Sequence, residues 1–104
     1  MEEKSIKEMM EIHRKMYEQS VKPYITKGEY EIAHIEMYSL VLSILDERDR
    51  ILRYVHCGFG YIQFAKVLLE KLETAKSASD LQGVIEKFES YAAQTKLPRL
   101  DRIT

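Results

Sequence analysis

The sequence predicts a small all-α protein, a compact antiparallel bundle of about four helices. Only 4 glycines and 2 prolines occur in 104 residues, which is too few turn-forming residues for a fold of many short strands. Apolar side chains recur at helical spacing in four successive segments. Hydrophobic residues make up 45% of the chain and charged residues 32%, enough to form one core and a solvated surface. We therefore expect one helical bundle domain over residues 1–95, followed by a polar C-terminal tail over 96–104.

The first helix is predicted from about Glu3 to Ser20. Its apolar side chains, with His13 among them, repeat every three or four residues, and its charged side chains fall on the opposite side. Lys22 is followed by Pro23, and a residue before proline is biased away from the α conformation. The helix is therefore expected to end there, with a short link leading to Gly28.

The second helix is predicted to be long, from about 29 to 56. Its apolar line runs from Ala33 to Val55 and passes through a charged stretch at 46–50. In that stretch the acids precede the arginines by four residues, the order that favours ion pairs within a helix. A single helix of this length would span roughly 40 Å. The alternative is a turn at 46–49.

The rest of the chain predicts two shorter helices. Gly58 and Gly60 form the clearest predicted break, and the third helix follows over about 61–76. A turn is expected at 77–80, where Ser79 and a glutamine three residues later match a capping box for the fourth helix.

Charge and cysteine content limit the classes of function. The 16 basic and 17 acidic side chains give a net charge of −1, which provides no general attraction to nucleic acid or to an anionic membrane. The single cysteine, Cys57, excludes a disulfide within the chain and favours a cytoplasmic location. The apolar-rich stretch 37–45 is too short to span a bilayer, and the charged N-terminus does not resemble a signal peptide. We expect no membrane anchor.

One pair of residues suggests a metal site. Glu31 and His34 are three residues apart and share a helix face. This spacing is similar to the carboxylate–histidine motif of ferritin-like di-iron bundles. Such a site would need further glutamates from neighbouring helices, for which Glu18 is a candidate. The preferred interpretation is a surface glutamate beside a partly buried histidine, so we expect no cofactor and no bound metal.

A second set suggests contact with nucleic acid. Arg48, Arg50, Arg53 and His56 lie within nine residues. The separation of Arg50 and His56 resembles that of the small all-α ribonucleases of the HEPN type, although Ile51 stands where that family has a polar residue. The resemblance implies that His56 acts as general acid or base and that an arginine holds phosphate. In the alternative interpretation the arginines form ion pairs and His56 ends a helix, which makes nucleic acid an unfavoured partner.

A group of aromatic side chains near the glycines suggests a protein interface. Tyr54, Phe59, Tyr61 and Phe64 gather around the predicted break. Tyrosine is enriched at interfaces because it combines a large apolar area with a polar end. The alternative, given equal weight, is that these rings fill one end of a small core.

The function that these patterns favour is binding of another protein. Each helix carries an apolar stripe, the second helix is long for a short bundle, and no residue set forms a complete catalytic site. We therefore expect a non-enzymatic adaptor or subunit that self-associates as a homodimer. A metal-binding bundle and a nucleic-acid-binding or ribonuclease bundle are the two alternatives.

Overall fold

The computed structural model describes residues 6–53 and 58–94, and this part of the chain folds into helices without strands. The all-α prediction is confirmed. In chain order the helices are α1 (Ile6–Ser20), α2 (Lys22–Thr26), α3 (Tyr30–Asp46), α4 (Arg48–Ile51), α5 (Gly58–Thr74) and α6 (Ala78–Gln94).

The four long helices form a bundle around one core. Contacts connect α1 to α3, α3 to α5, α5 to α6 and α6 back to α1, which closes the ring of helices. His34 near the start of α3 contacts Leu72 near the end of α5, so these two helices run antiparallel. The buried core comprises Met9, Met10, Tyr17, Val21, Ala33, Met37, Leu40, Val41, Ile44, Ile51, Tyr61, Ile62, Ala65, Leu68, Leu72, Leu81, Val84, Ile85 and Phe88.

The prediction of one continuous helix over 29–56 was wrong, because the helix is interrupted at Glu47. This residue has φ −95° and ψ 17°, and its N–H bonds to the Ile44 carbonyl at 3.1 Å. A helix of 28 residues would project about 16 Å beyond the 17-residue α5 and would leave apolar side chains in water. The interruption instead turns the chain across the end of the bundle, where Ile51 is completely buried. The alternative of a turn at 46–49 is what the structure shows.

The link after α1 contains a short helix that ends in a Schellman motif. The Gly28 N–H bonds to the Ile25 carbonyl at 3.0 Å, and the Glu29 N–H bonds to the Tyr24 carbonyl at 2.8 Å. Gly28 has φ +79°, a left-handed conformation that glycine adopts without steric cost. This glycine therefore ends α2 and sets the direction in which α3 begins.

The glycines predicted as a break belong to the first turn of α5. A Cβ atom on Gly58 would lie 2.0 Å from the Ile51 carbonyl oxygen, so only glycine lets α5 start this close to α4. The break therefore precedes Gly58. Residues 54–57 are outside the described part of the chain.

The cap of α6 lies two residues before the predicted one. Ser77, not Ser79, accepts the Asp80 N–H through its hydroxyl at 3.1 Å. The Asp80 carboxylate in turn accepts the Lys76 N–H at 3.0 Å, and this bond, together with hydrogen bonds from Ser77, lowers the pKa of the carboxyl group. The bonds that Ser77 and Asp80 make to each other form a capping box around the first turn of α6.

The predicted polar tail, 96–104, lies outside the described residues. Among the helices described, none is long and apolar enough to cross a membrane.

Candidate interaction surface

Helix α3 carries apolar side chains on its outer side as well as on its core side. Ala33, Met37 and Ile44 are buried against the other helices. At 100° per residue, positions 32, 35, 39 and 42 lie on the opposite side of the same helix. We call Ile32, Ile35, Ser39 and Leu42 the outer stripe. Its three apolar side chains are 41%, 67% and 43% exposed, so α3 presents to water the kind of face that a helix normally buries.

A groove between α3 and α5 runs beside the outer stripe. It has a volume of about 590 Å³ and is lined by Glu31, His34, Ile35, Tyr38, Leu72 and Glu73. Its lining combines the apolar side chains of Ile35 and Leu72 with two exposed glutamates. The outer stripe and the groove share Ile35, so they form one continuous surface.

His34 has a structural role at this groove. Its Nε2–H donates to the Leu72 carbonyl at 2.8 Å. Leu72 lies in the last turn of α5, where backbone carbonyls have no partner within the helix. His34 therefore caps α5 from α3, and in the neutral ring the lone pair lies on Nδ1.

The predicted metal site has two residues in place and no complete ligand set. Glu31 and His34 line the same groove, together with Glu73, whose carboxylate accepts the Tyr38 hydroxyl at 3.4 Å. Within residues 8–53 and 58–91, no three His, Cys, Asp or Glu side chains form a group that would hold a metal ion. Metal binding by Glu31 and His34 stays a prediction.

The residues predicted to contact nucleic acid are dispersed around the turn after α3. Arg48 and Arg50 lie on α4 and Arg53 follows it, all three exposed. His56 is outside the described residues. Because α3 ends at Asp46, the expected pairing of Asp46 with Arg50 along one helix face is not available. Nucleic-acid binding therefore also stays a prediction.

The predicted aromatic interface is divided between surface and core. Phe59 is 65% exposed on α5, whereas Tyr61 is buried. Phe64 is half-buried and packs on Tyr91, with 4.1 Å between the ring centroids. Tyr54 is outside the described residues. Tyr61 and Phe64 thus help to fill one end of the core, which is the alternative that the sequence left open, and Phe59 is available to a partner.

The sequence pattern did not predict a polar network that joins two helices to the α3–α4 turn. His13 on α1 is buried, and its Nδ1 lies 2.8 Å from the Tyr61 hydroxyl. Its Nε2 lies 3.3 Å from a Glu47 carboxylate oxygen, at the interruption after α3. In the neutral tautomer that fits both contacts, Nε2–H donates to Glu47 and Nδ1 accepts from Tyr61.

The electrostatics of this network favour a neutral histidine. Burial lowers the pKa of His13, and the charge and hydrogen bond of Glu47 partly oppose that shift. Burial also raises the pKa of Tyr61, so its hydroxyl stays protonated and able to donate. The network therefore holds α1, α5 and the α3–α4 turn together. In the sequence, the sign of this network is the position of His13 in an apolar line. That position predicts a hydrogen-bonded histidine but does not identify its partners.

The outer stripe was also missed, although the sequence contains its signal. Positions 32, 35, 39 and 42 repeat with spacings of three and four, parallel to the core line of the same helix. The core line by itself accounts for the burial of α3 in the bundle, so burial does not point to the second line.

Fold and surface together define an all-α bundle in which α3 carries a stripe of exposed apolar side chains on its outer side. No protein-family model matches the chain, and no curated protein or solved structure is significantly similar to it.

Proposed function

We propose that this protein is a non-enzymatic helical bundle that binds another protein chain through the outer stripe and the adjoining groove. The occupant that this surface fits is the apolar face of an α-helix. The observation that supports the proposal is the exposure of Ile35 and Leu42 on a helix whose other side is completely buried. A helix that is apolar on both sides is normally covered on both sides.

The chemistry of the surface suits a helix better than a small polar ligand. The outer stripe consists of three exposed aliphatic side chains and one serine, and the groove beside it adds Tyr38 and Leu72. An amphipathic helix laid along α3 would cover side chains at spacings of three and four residues, the mode in which helices dock in apolar grooves. The glutamates at the rim, Glu31 and Glu73, favour basic or polar side chains at the edge of such a helix.

The test uses two aliphatic side chains of equal exposure. Leu42 and Val67 are both 43% exposed, but Val67 lies on α5, outside the outer stripe and the groove lining. Tagged wild-type chain, Leu42→Asp and Val67→Asp are purified from the same cells, and proteins that co-purify are quantified, including untagged copies of this chain. We expect the amount of a specific partner that co-purifies with Leu42→Asp to fall at least about tenfold. The reason is that burying a charge at the interface costs more than the 1.4 kcal/mol to which a tenfold change in affinity corresponds.

The control must behave differently for the proposal to stand. Val67→Asp should keep the partner at the wild-type level, and both variants should keep the helical circular dichroism of the wild type. A partner lost equally from both variants, or no partner that depends on Leu42, would contradict the proposal.

A further inference from the structure

The outer stripe is framed by acidic side chains. At about 100° per residue, Glu31 lies on one flank of Ile35 and Glu36 lies on the other. Asp46 follows Leu42 by four residues, so it continues the line of the stripe at its C-terminal end. Helix α3 carries these three acids and no lysine or arginine. The apolar row therefore has negative charge on both flanks and at one end.

These acids are not balanced within the monomer. Among the residues that the structure describes, no ion pair joins Glu31, Glu36 or Asp46 to a basic side chain. On α1, by contrast, Arg14 is paired with the acids on both sides of it. The negative charge that frames the outer stripe is therefore open to a partner.

The groove beside the outer stripe carries charge of the same sign. Its lining includes Glu31 and Glu73 and no lysine or arginine. Along the chain, the cations nearest to α3 are Lys27 before it and Arg48 after it, and neither belongs to the helix or to the groove lining. The whole chain has 16 basic and 17 acidic side chains, so the excess of negative charge is a local property of this surface.

From the exposed apolar row and its unbalanced acids we propose that the partner is a basic amphipathic helix of another protein, with lysines or arginines on both sides of an apolar row. This inference rests on the proposed function and names the chemistry of its partner. The two apolar rows cover each other and supply the affinity, and cations beside Glu31 and Glu36 supply the selectivity. A second α3 would set acids against acids, and an anionic membrane would repel the same face.

Two synthetic peptides test the charge of the partner. Each is an amphipathic helix of about 18 residues with the same row of leucines, long enough to cover the 17 residues of α3. The flanking positions are lysine in one peptide and glutamate in the other. By fluorescence anisotropy, the lysine peptide should bind the full chain at least about tenfold more tightly. This difference should shrink between about 0.05 M and about 0.5 M sodium chloride, because salt screens the flanking charges.

Charge reversals test whether the lysine peptide lies on the outer stripe. Glu31→Lys and Glu36→Lys should each weaken its binding about three- to tenfold, because each replaces an attraction with a repulsion. Glu86→Lys makes the same change in net charge at an exposed position of α6 and should leave the affinity within about twofold of the wild type. Leu42→Ser, which adds no charge, should weaken the lysine peptide by removing apolar contact. All four variants should keep the helical circular dichroism of the wild type.

The outcomes separate this inference from the proposed function. Equal binding of the two peptides, or equal weakening by Glu31→Lys and Glu86→Lys, would overturn the basic partner. If both peptides bound equally and both were weakened by Leu42→Ser, the outer stripe would still be a helix-binding surface. If neither peptide bound, the basic partner would be overturned, and the co-purification test with Leu42→Asp would decide the proposed function separately.

Discussion

Helices α1 and α3 belong to the same ring of helices, but the side chains on their solvent-facing sides differ in kind. On α1, Arg14 lies between Glu11 and Glu18 and bonds to both, the second at 2.6 Å. Within residues 8–20 of this helix, the one large exposed apolar side chain is Ile12. On α3 the outer face is a row of aliphatic side chains. Because both helices bury a similar inner face, the difference is not required by folding, and it separates a solvated helix from one suited to a partner.

The largest expected effect contrasts the two sides of α3 itself. Ile44 is buried, and Ile35 is the most exposed apolar side chain of the helix. Ile44→Ala should lower the free energy of unfolding by about 2–5 kcal/mol, because it removes buried carbon atoms and leaves a cavity. Ile35→Ala should change it by less than about 0.5 kcal/mol.

Urea denaturation at low protein concentration measures both free energies without a contribution from association. Equal losses for the two isoleucines would mean that the outer stripe is packed within the monomer, and the comparison of the two helices would fail.

The second prediction concerns the inner face of α1. His13→Leu removes the partner of the buried Tyr61 hydroxyl, and a buried hydroxyl without a partner costs about 1–3 kcal/mol. Adding Tyr61→Phe to His13→Leu should recover part of that loss, because it removes the unsatisfied group. A double-mutant cycle of the two substitutions measures this coupling, and strictly additive losses would contradict the hydrogen bond.

The same histidine makes stability depend on pH in a known direction. Burial holds the pKa of His13 below its ordinary value of 6.5, so the unfolded chain binds more protons just below that pH. The stabilisation that this shift provides is present above pH 6.5 and is lost as pH falls from there through the folded pKa. His13→Leu should lack this part of the acid sensitivity. In Glu47→Gln, NMR titration should find the His13 pKa lowered further, because Glu47 is the group that raises it.

The periodicity of the sequence was sufficient to predict the helices but not the contacts of His13. Apolar spacing predicted the segments of α1, α3, α5 and α6, because each helix buries one side in a common core. It did not favour the interruption at Glu47, because the acids and arginines around it are also spaced for ion pairs within one helix, and the end of the bundle determines where the chain must turn. The contact of His13 with Glu47 depends on that turn, so the spacing of the sequence did not reveal it.

The candidate surface was missed for a different reason. The sequence favoured a partner-binding bundle, but it placed the interface at aromatic residues, and Tyr61 turned out to be buried. Aromatic rings satisfy either a core or an interface, so their type does not distinguish the two. Only the packing shows that Ile35 and Leu42 lie opposite the core, although their spacing is visible in the sequence.

The smallest expected effect lies on the outer face of α1. Arg14→Gln breaks the ion pairs with Glu11 and Glu18, and helix pairs of this kind contribute about 0.2–0.5 kcal/mol each. The loss in free energy of unfolding should be below about 1 kcal/mol in dilute buffer. It should shrink in 1 M sodium chloride, where the electrostatic screening length is only about 3 Å. Denaturation of wild type and variant at both salt concentrations measures it.

Salt should act in opposite directions on the two outer faces. Sulfate screens the Arg14 pairs of α1, but it strengthens the burial of apolar surface, so it should tighten any association through the outer stripe of α3. Leu42→Asp supplies the control, since a chain without an intact stripe should gain less association from sulfate. If sulfate weakened the association of the wild-type chain, ionic contacts would dominate the interface. The outer face of α3 would then resemble that of α1 in its chemistry.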